Sequence, residues 1–351
     1  MIPISQPSLS EAEIAAAVSA LSSGVLTGGE EVVRFEQEFG AVIENRTCIA
    51  VNSGTSALIA CLAGLGIGGG DEVIVPGFTF GATANAVLLV GASPILADID
   101  PLTYCLSPDS VRERITTRTV AILAVHLYGH PAPMKELLEI AEENGLVVIE
   151  DAAQAHAARI GQTPCGALGH AAAFSFYATK NMTTGEGGMA VFKDPLAAER
   201  ASIMRNQGMN ASYQYEIAGF NFRMPAMAAA IGRVQLSRLP ELTEQRIRNA
   251  RLYDALITKH RTPTVMPDVQ HVYHQYTLSS SDRDTLLTRL KTAGIDARVY
   301  YPNPLSDFPI YRHDGYPLPN ARNSASSVVS IPVGPHLSEA DIGRVAEVVE
   351  S

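Results

Sequence analysis

Val147-Val148-Ile149-Glu150-Asp151-Ala152-Ala153-Gln154-Ala155-His156 carries the strongest structural signal in the chain. Val147–Glu150 reads as a strand that is apolar until its last residue, the pattern of a strand covered on both faces. Asp151 then stands at the carboxyl end of that strand, where open α/β sheets build their ligand crevices. Working outward, Cys48–Val51, Glu72–Val75, Ser93–Ala97, Val120–Val125, Ala172–Phe176 and Met189–Phe192 also read as strands, several of them apolar throughout. Helical patterns lie between them, some with legible ends. Ser10-x-x-Glu13 is a capping box, the Pro133–Glu143 helix stops at Asn144-Gly145, and Asp194-Pro195 supplies a cap and a first-turn proline to a helix ending near Gly208. This β-α alternation predicts a mostly parallel sheet sandwiched by helices.

After Arg238-Leu239-Pro240 the texture changes. A helix over Arg246–Leu256 leads to β-like pieces near His271–Leu278 and Ala297–Tyr301, and two more helices carry boxes at Ser281-x-x-Asp284 and Ser338-x-x-Asp341. We expect a large domain over residues 1–238 and a smaller α+β domain over 239–351. Pro302 to Asn320, rich in proline and tyrosine, reads as an ordered but irregular loop.

Composition narrows the function. The chain has 351 residues, 46% hydrophobic and 18% charged, with a net charge of −10. That balance disfavours nucleic-acid and anionic-membrane binding. Cys48, Cys61, Cys105 and Cys165 lack metal-site spacing, which predicts reduced, buried thiols and no metal. We read no signal peptide, and the longest apolar runs fall short of a membrane span, so a cytoplasmic location is expected.

Lysine occurs at only five positions, and four of them suit solvated element ends. The fifth, Lys180, lies in Tyr177-Ala178-Thr179-Lys180-Asn181-Met182-Thr183-Thr184-Gly185-Glu186-Gly187-Gly188, after an apolar strand and beside glycines that admit a bulky ligand. Taken alone, Lys180 reads as a loop lysine and Asp151 as a helix cap. Taken together, an amine for a Schiff base and an acid for a pyridine nitrogen are what pyridoxal phosphate (PLP) asks of a protein. Asn52-Ser53-Gly54-Thr55-Ser56-Ala57-Leu58 follows a strand and opens a helix, which makes an anion site or a plain N-cap. Ser175 sits between Phe174 and Phe176, so its hydroxyl should point opposite to the two rings. Phe80, in Pro76-Gly77-Phe78-Thr79-Phe80, could stack on an aromatic cofactor or belong to the core. No dinucleotide fingerprint, P-loop, His-Glu-x-x-His or Gly-x-Ser-x-Gly motif is present.

These residues, together with Leu26–Gly29, Gly70–Pro76, Val125-His126-Leu127-Tyr128-Gly129 and Gly219-Phe220-Asn221-Phe222-Arg223-Met224, resemble the DegT/DnrJ/EryC1/StrS aminotransferases almost end to end. The resemblance implies an aspartate-aminotransferase-like (fold type I) three-layer α/β sandwich and transfer of an amino group from glutamate or glutamine to a keto sugar or keto-cyclitol. It implies that Lys180 links to PLP and shuttles a proton, that Asp151 holds the pyridine nitrogen, and that Gln154 meets the phenolic oxygen. Phe80 and Ala153 would cover the ring faces. Gly54, Thr55 and Ser175 would hold the phosphate, joined by Asn221 from the partner of a homodimer. Tyr300, Tyr301 and Arg223 would lie near substrate. A dehydrase branch of the family carries histidine at the position of Lys180. Relatives often read Val-His-Tyr-Pro where this chain has Val299-Tyr300-Tyr301-Pro302, and keep a histidine near Ser306, which leaves the acceptor open. The rival readings are a PLP-dependent sugar dehydratase and a non-catalytic regulatory protein that retains the fold.

Overall fold

The computed structural model describes residues 1–311 and 315–351. Its centre is a seven-stranded sheet: β1 (Thr47–Val51), β2 (Glu72–Pro76), β3 (Ser93–Ala97), β4 (Thr119–Val125), β5 (Val147–Asp151), β6 (Ala171–Ser175) and β7 (Gly188–Phe192). The spatial order is β1-β7-β6-β5-β4-β2-β3. β7 runs antiparallel to both β1 and β6, while the other neighbours are parallel. This is the mostly parallel α/β sheet that the strand texture implies.

Eleven helices are described: α1 (Glu11–Ser22), α2 (Gly29–Val42), α3 (Gly54–Gly64), α4 (Ala82–Leu89), α5 (Pro108–Arg114), α6 (Met134–Asn144), α7 (Pro195–Arg205), α8 (Ala226–Leu256), α9 (Arg283–Thr292), α10 (Pro319–Ser327) and α11 (Glu339–Glu350). Side chains alternate across the sheet. Ile49, Val51, Ala171, Ala173 and Phe192 face one core, which includes residues of α3, α6 and α7. Cys48, Ala50, Ala172, Phe174, Met189 and Val191 face a second core, which includes residues of α2 and the first half of α8. A third core gathers Tyr253, Tyr276, Leu286, Val329, Ile331 and Val345, and takes Ile2 from the N-terminus. All four cysteines are free and buried in the first two cores.

Local chemistry sets most helix ends. Ser10 with Glu13, and Ser338 with Asp341, form reciprocal capping boxes. Asp194 caps α7 with Pro195 in the first turn, and Gly145 ends α6 in the left-handed conformation. Other readings are corrected. The box at Ser281 does not form: the cap position falls on Asp282, whose carboxylate accepts from Ser280 Oγ at 2.6 Å. The helix over Arg246–Leu256 is the end of the 31-residue α8, which passes through Pro240. It is held across that proline by burial of Leu236, Leu239 and Leu242 and by the Arg238–Glu13 ion pair at 2.6 Å. The proposed division at 238/239 lies inside this helix. α7 ends at Arg205, ahead of Gly208.

Ala297–Tyr301 forms a single bridge, Arg298 to Ser330, and no strand. Near His271–Leu278 only the two-stranded pairing of β8 (Tyr276–Ser279) with β9 (Val328–Ile331) extends beyond a dipeptide. The irregular loop expected over residues 302–320 contains short 3-10 turns at Leu305–Asp307 and Pro309–Tyr311; its residues 312–314 lie outside the described residues. No helix among the described residues is long and apolar enough to cross a membrane.

Candidate active site

Asp151 ends β5 in register with Val125 of β4 and Ala173 of β6, at the carboxyl edge of the parallel strands. Its carboxylate is fixed from two sides. Thr83 Oγ1, on α4, donates to Oδ2 at 2.8 Å, and the Ala153 amide donates to Oδ1 at 3.2 Å. Burial pushes its pKa up, against the pull of these two donors and the Lys180 charge. The neighbouring Glu150 points to the other side of the strand. It accepts from His126 Nε2 at 2.9 Å and from the Gly166 and Gly169 amides at 2.7 Å each.

Lys180 comes from the loop that joins β6 to β7. The Lys180 amide donates to the Tyr177 carbonyl at 2.9 Å, and the Thr184 amide and Thr183 Oγ1 both donate to the Phe176 carbonyl at 2.9 Å. Asn181 Nδ2 adds a bond to the Val272 carbonyl at 3.2 Å. The loop is therefore a built turn, and it presents a half-buried lysine to the cavity. Desolvation lowers the Lys180 pKa to about 8, opposed by Asp151. Yet Lys180 and Asp151 form no ion pair, although both line one cavity. The protein thus brings an amine and an acid to one cavity without pairing them.

The turn read as an anion site or a plain N-cap lies where β1 runs into α3. Ser53 caps the helix, its Oγ accepting from the Ser56 amide at 3.1 Å, so Gly54 and Thr55 occupy the first turn, where amides have no helical acceptor. The backbone there is crowded. A methyl on Gly54 would lie 2.6 Å from Ser175 Cβ, and one on Gly188 would lie 2.3 Å from the Ser53 carbonyl oxygen. Glycine at both positions lets β6 and β7 press against the turn, and this brings the Ser175 side chain beside the helix N-terminus.

The cavity has a volume of about 480 Å³. Gly54, Thr55, Phe80, Asp151, Ala153, Gln154, Ser175, Lys180, Tyr300 and Tyr301 all line it. Gln154 is oriented by the Tyr128 amide, which donates to Oε1 at 2.7 Å, and its Nε2 donates to the Tyr301 hydroxyl at 3.2 Å. Phe80 is 59% exposed, with its ring 5.9 Å from that of Tyr301, and so is not a core residue. Two expected residues stand elsewhere in their own protomer. Asn221 is exposed, its carbonyl accepting from Asn52 Nδ2 at 3.3 Å. Arg223 Nη1 donates to Asn206 Oδ1 at 2.8 Å in a separate groove.

The structure adds Thr83, Tyr128, Glu186, His274 and Arg298 to the site. Of these only Tyr128 carried a sequence signal, in Val125–Gly129. His126, Glu150 and Cys165 also cluster. His126 Nδ1 already accepts from the Ala132 amide at 2.9 Å and Glu150 takes three donors, so this group is a saturated hydrogen-bond network.

The arrangement can bind a flat heterocycle with an acid at one end, an amine at its edge and amides for a phosphate. Comparison with known proteins agrees. The model of the DegT/DnrJ/EryC1/StrS aminotransferase family matches residues 7–350. The chain belongs to this family. It is 41% identical over 342 residues to the dTDP-3-amino-3,4,6-trideoxy-alpha-D-glucose transaminase of Streptomyces venezuelae, a match covering 95% of this chain and 90% of that protein. It is 39% identical to the GDP-perosamine synthase of Caulobacter vibrioides, covering 90% and 88%. Among solved structures, S. venezuelae DesV in complex with a ketimine intermediate superposes with a TM-score of 0.93 at 40% identity, covering 96% of this chain and 93% of that one. The protein is a PLP-dependent aminotransferase of the α/β fold expected from its sequence.

Proposed function

We propose that this aminotransferase moves an amino group from glutamate or glutamine to a nucleotide-linked keto sugar, as a cytoplasmic homodimer. The observation that carries the site assignment is that Lys180 and Asp151 line one cavity without forming an ion pair. Burying a carboxylate without a direct ion pair is costly, and the pKa that burial raises expresses that cost. A protonated ring nitrogen would supply the missing charge. Asp151, aimed by Thr83 and Ala153, would hold that nitrogen, and Gln154, fixed by Tyr128, would meet the ring's oxygen. Phe80 and Ala153 would flank the faces. Gly54, Thr55 and Ser175 would take the phosphate, with Asn221 of the partner subunit completing it.

When bound, PLP supplies a ring that accepts the electron pair left as a substrate Cα–H bond breaks. The chain's own part is proton handling and positioning. Lys180 Nζ, brought near neutrality by desolvation, can take a proton at substrate Cα and return it on the next half-cycle. Lysine at 180 favours transamination over the dehydratase reading, and retention of Lys180, Asp151 and the anion turn disfavours a silent regulatory role.

Relatives named for dTDP- and GDP-linked sugars support the nucleotide-linked acceptor. The test is to screen dTDP-, UDP- and GDP-linked 3-keto and 4-keto sugars, with scyllo-inosose as an uncharged comparison, against glutamate and glutamine. Stoichiometric keto-acid co-product with a nucleotide-linked acceptor is expected. Turnover with inosose alone, or no keto acid from any pair, would refute the reading.

A further inference from the structure

We propose that Arg298 is an anion subsite at the rim of the cavity, built to bind the diphosphate of the acceptor. This rests on the nucleotide-linked reading above and deepens it. Two long basic side chains, Lys180 and Arg298, line the cavity, and of the two the Arg298 guanidinium is the one that stays charged at working pH. Lys180 is committed to the reacting carbon. His274 also lines the cavity, but it is buried and its Nδ1 is engaged with Asn181 Oδ1 at 3.2 Å.

Arg298 is placed firmly. Its amide donates to the Ser330 carbonyl at 3.0 Å and its carbonyl accepts from the Ser330 amide at 2.7 Å, which ties it to the edge of β9. Its Nε and Nη2 donate to Asp296 Oδ1 and Oδ2 at 3.0 and 3.1 Å, and these bonds fix the plane of the guanidinium. Nη1 has no partner among the described residues. The side chain is 56% exposed, so its pairing with Asp296 is weak enough to admit a second anion. A guanidinium pinned at one edge and open at the other suits a phosphate oxygen.

Position separates the diphosphate from the amino donor's α-carboxylate. That carboxylate is one bond from the carbon that reacts at Lys180, so its anchor must lie on the cavity floor. A diphosphate is held away from the reacting carbon by the sugar ring, so its anchor must lie at the rim. Glu186, the other exposed charged residue lining the cavity, is suited to sugar hydroxyls and not to phosphate. Because the chain carries a net charge of −10, a polyanionic substrate needs a local cation to enter.

The experiment uses the holoenzyme and its Arg298→Gln and Arg298→Lys variants. Binding of dTDP, UDP and GDP is measured calorimetrically at several salt concentrations, and the glutamate half-reaction is followed by the cofactor's visible absorbance. In Arg298→Gln the dissociation constant of the best-bound nucleoside diphosphate should rise about tenfold or more with a flatter salt dependence. Arg298→Lys should keep the salt dependence and lose part of the affinity. The glutamate half-reaction should stay within about twofold in both, and the retained visible band shows that the site is intact. Unchanged diphosphate binding in Arg298→Gln, or a loss confined to the glutamate half-reaction, overturns the assignment. Wild-type enzyme that binds none of the three diphosphates overturns the nucleotide-linked reading itself, and so is distinguishable from failure of Arg298 alone.

Discussion

Desolvation works on Lys180 and Asp151 in opposite chemical directions: it makes the lysine a weaker acid-binder and the aspartate a stronger one. Each is disfavoured as an ion until a ligand arrives, which is how a site stores affinity for a charged heterocycle. With its pKa lowered to about 8, Lys180 is mostly protonated at pH 7 and mostly neutral at pH 9. Capture of PLP by the apoprotein needs the neutral amine, so its rate should rise about tenfold between those pH values and then level off. An ordinary lysine would still be climbing above pH 9, and stopped-flow absorbance distinguishes the two. Lys180→Ala should bind PLP without the visible band of the lysine-linked form and should lose turnover; full activity in that variant would remove the lysine from the mechanism. Thr83 is the side chain that donates to the Asp151 carboxylate. Thr83→Val keeps the shape and removes the donor, which should cost about 1 kcal/mol of stability and about tenfold in kcat. Wild-type kcat in that variant would mean that Ala153 alone suffices to aim the carboxylate.

At the scale of elements, the anion turn depends on how closely β7 and β6 approach the β1–α3 junction. Gly54→Ala places a methyl on Ser175, and Gly188→Ala places one on the Ser53 carbonyl, so each should cost about 1–3 kcal/mol through overpacking. PLP affinity should fall along with melting temperature in both. Gly185→Ala serves as a contrast: its left-handed φ of +84° makes it strained, but its methyl would meet nothing, so PLP affinity should change less than stability does. Elements with a local signal were legible in the sequence. The seven strands were found within a residue or two because each is an apolar run whose covering is independent of its neighbours, and Ser10, Ser338 and Asp194 act through atoms two or three residues away. What escaped depends on contacts distant along the chain. Pro240 reads as a stop, but packing on two cores carries α8 past it. Ala297–Tyr301 has strand composition but finds only Ser330 to pair with. Thr83 and Arg298 have no motif at all: one matters because α4 packs where β5 ends, the other because Ser330 and Asp296 hold it at the cavity.

For the whole molecule, the proposed homodimer turns on Asn221, a residue that does not line the cavity of its own protomer. Asn221 is exposed and lies outside the cavity of its protomer, in a stretch with exposed Tyr213, Tyr215, Ile217 and Phe220. Exposed apolar side chains along one stretch suit a contact surface, and under the proposed two-fold homodimer Asn221 would serve the other subunit's phosphate turn. Two variants test this together. Lys180→Ala lacks the amine of its own site. Asn221→Asp sets a carboxylate against the phosphate of the site it serves, which like-charge repulsion should disable. Each homodimer should be nearly inactive. If Asn221 acts in its partner's site, a mixed dimer carries both lesions at one site and neither at the other; random exchange then restores about a quarter of wild-type sites. If Asn221 acts in its own protomer, every site in the mixed dimer keeps one lesion and no activity returns. Activity after mixing, denaturing and refolding the two variants, compared with each refolded alone, separates these outcomes, and it does so without knowledge of the acceptor because the glutamate half-reaction suffices as the readout.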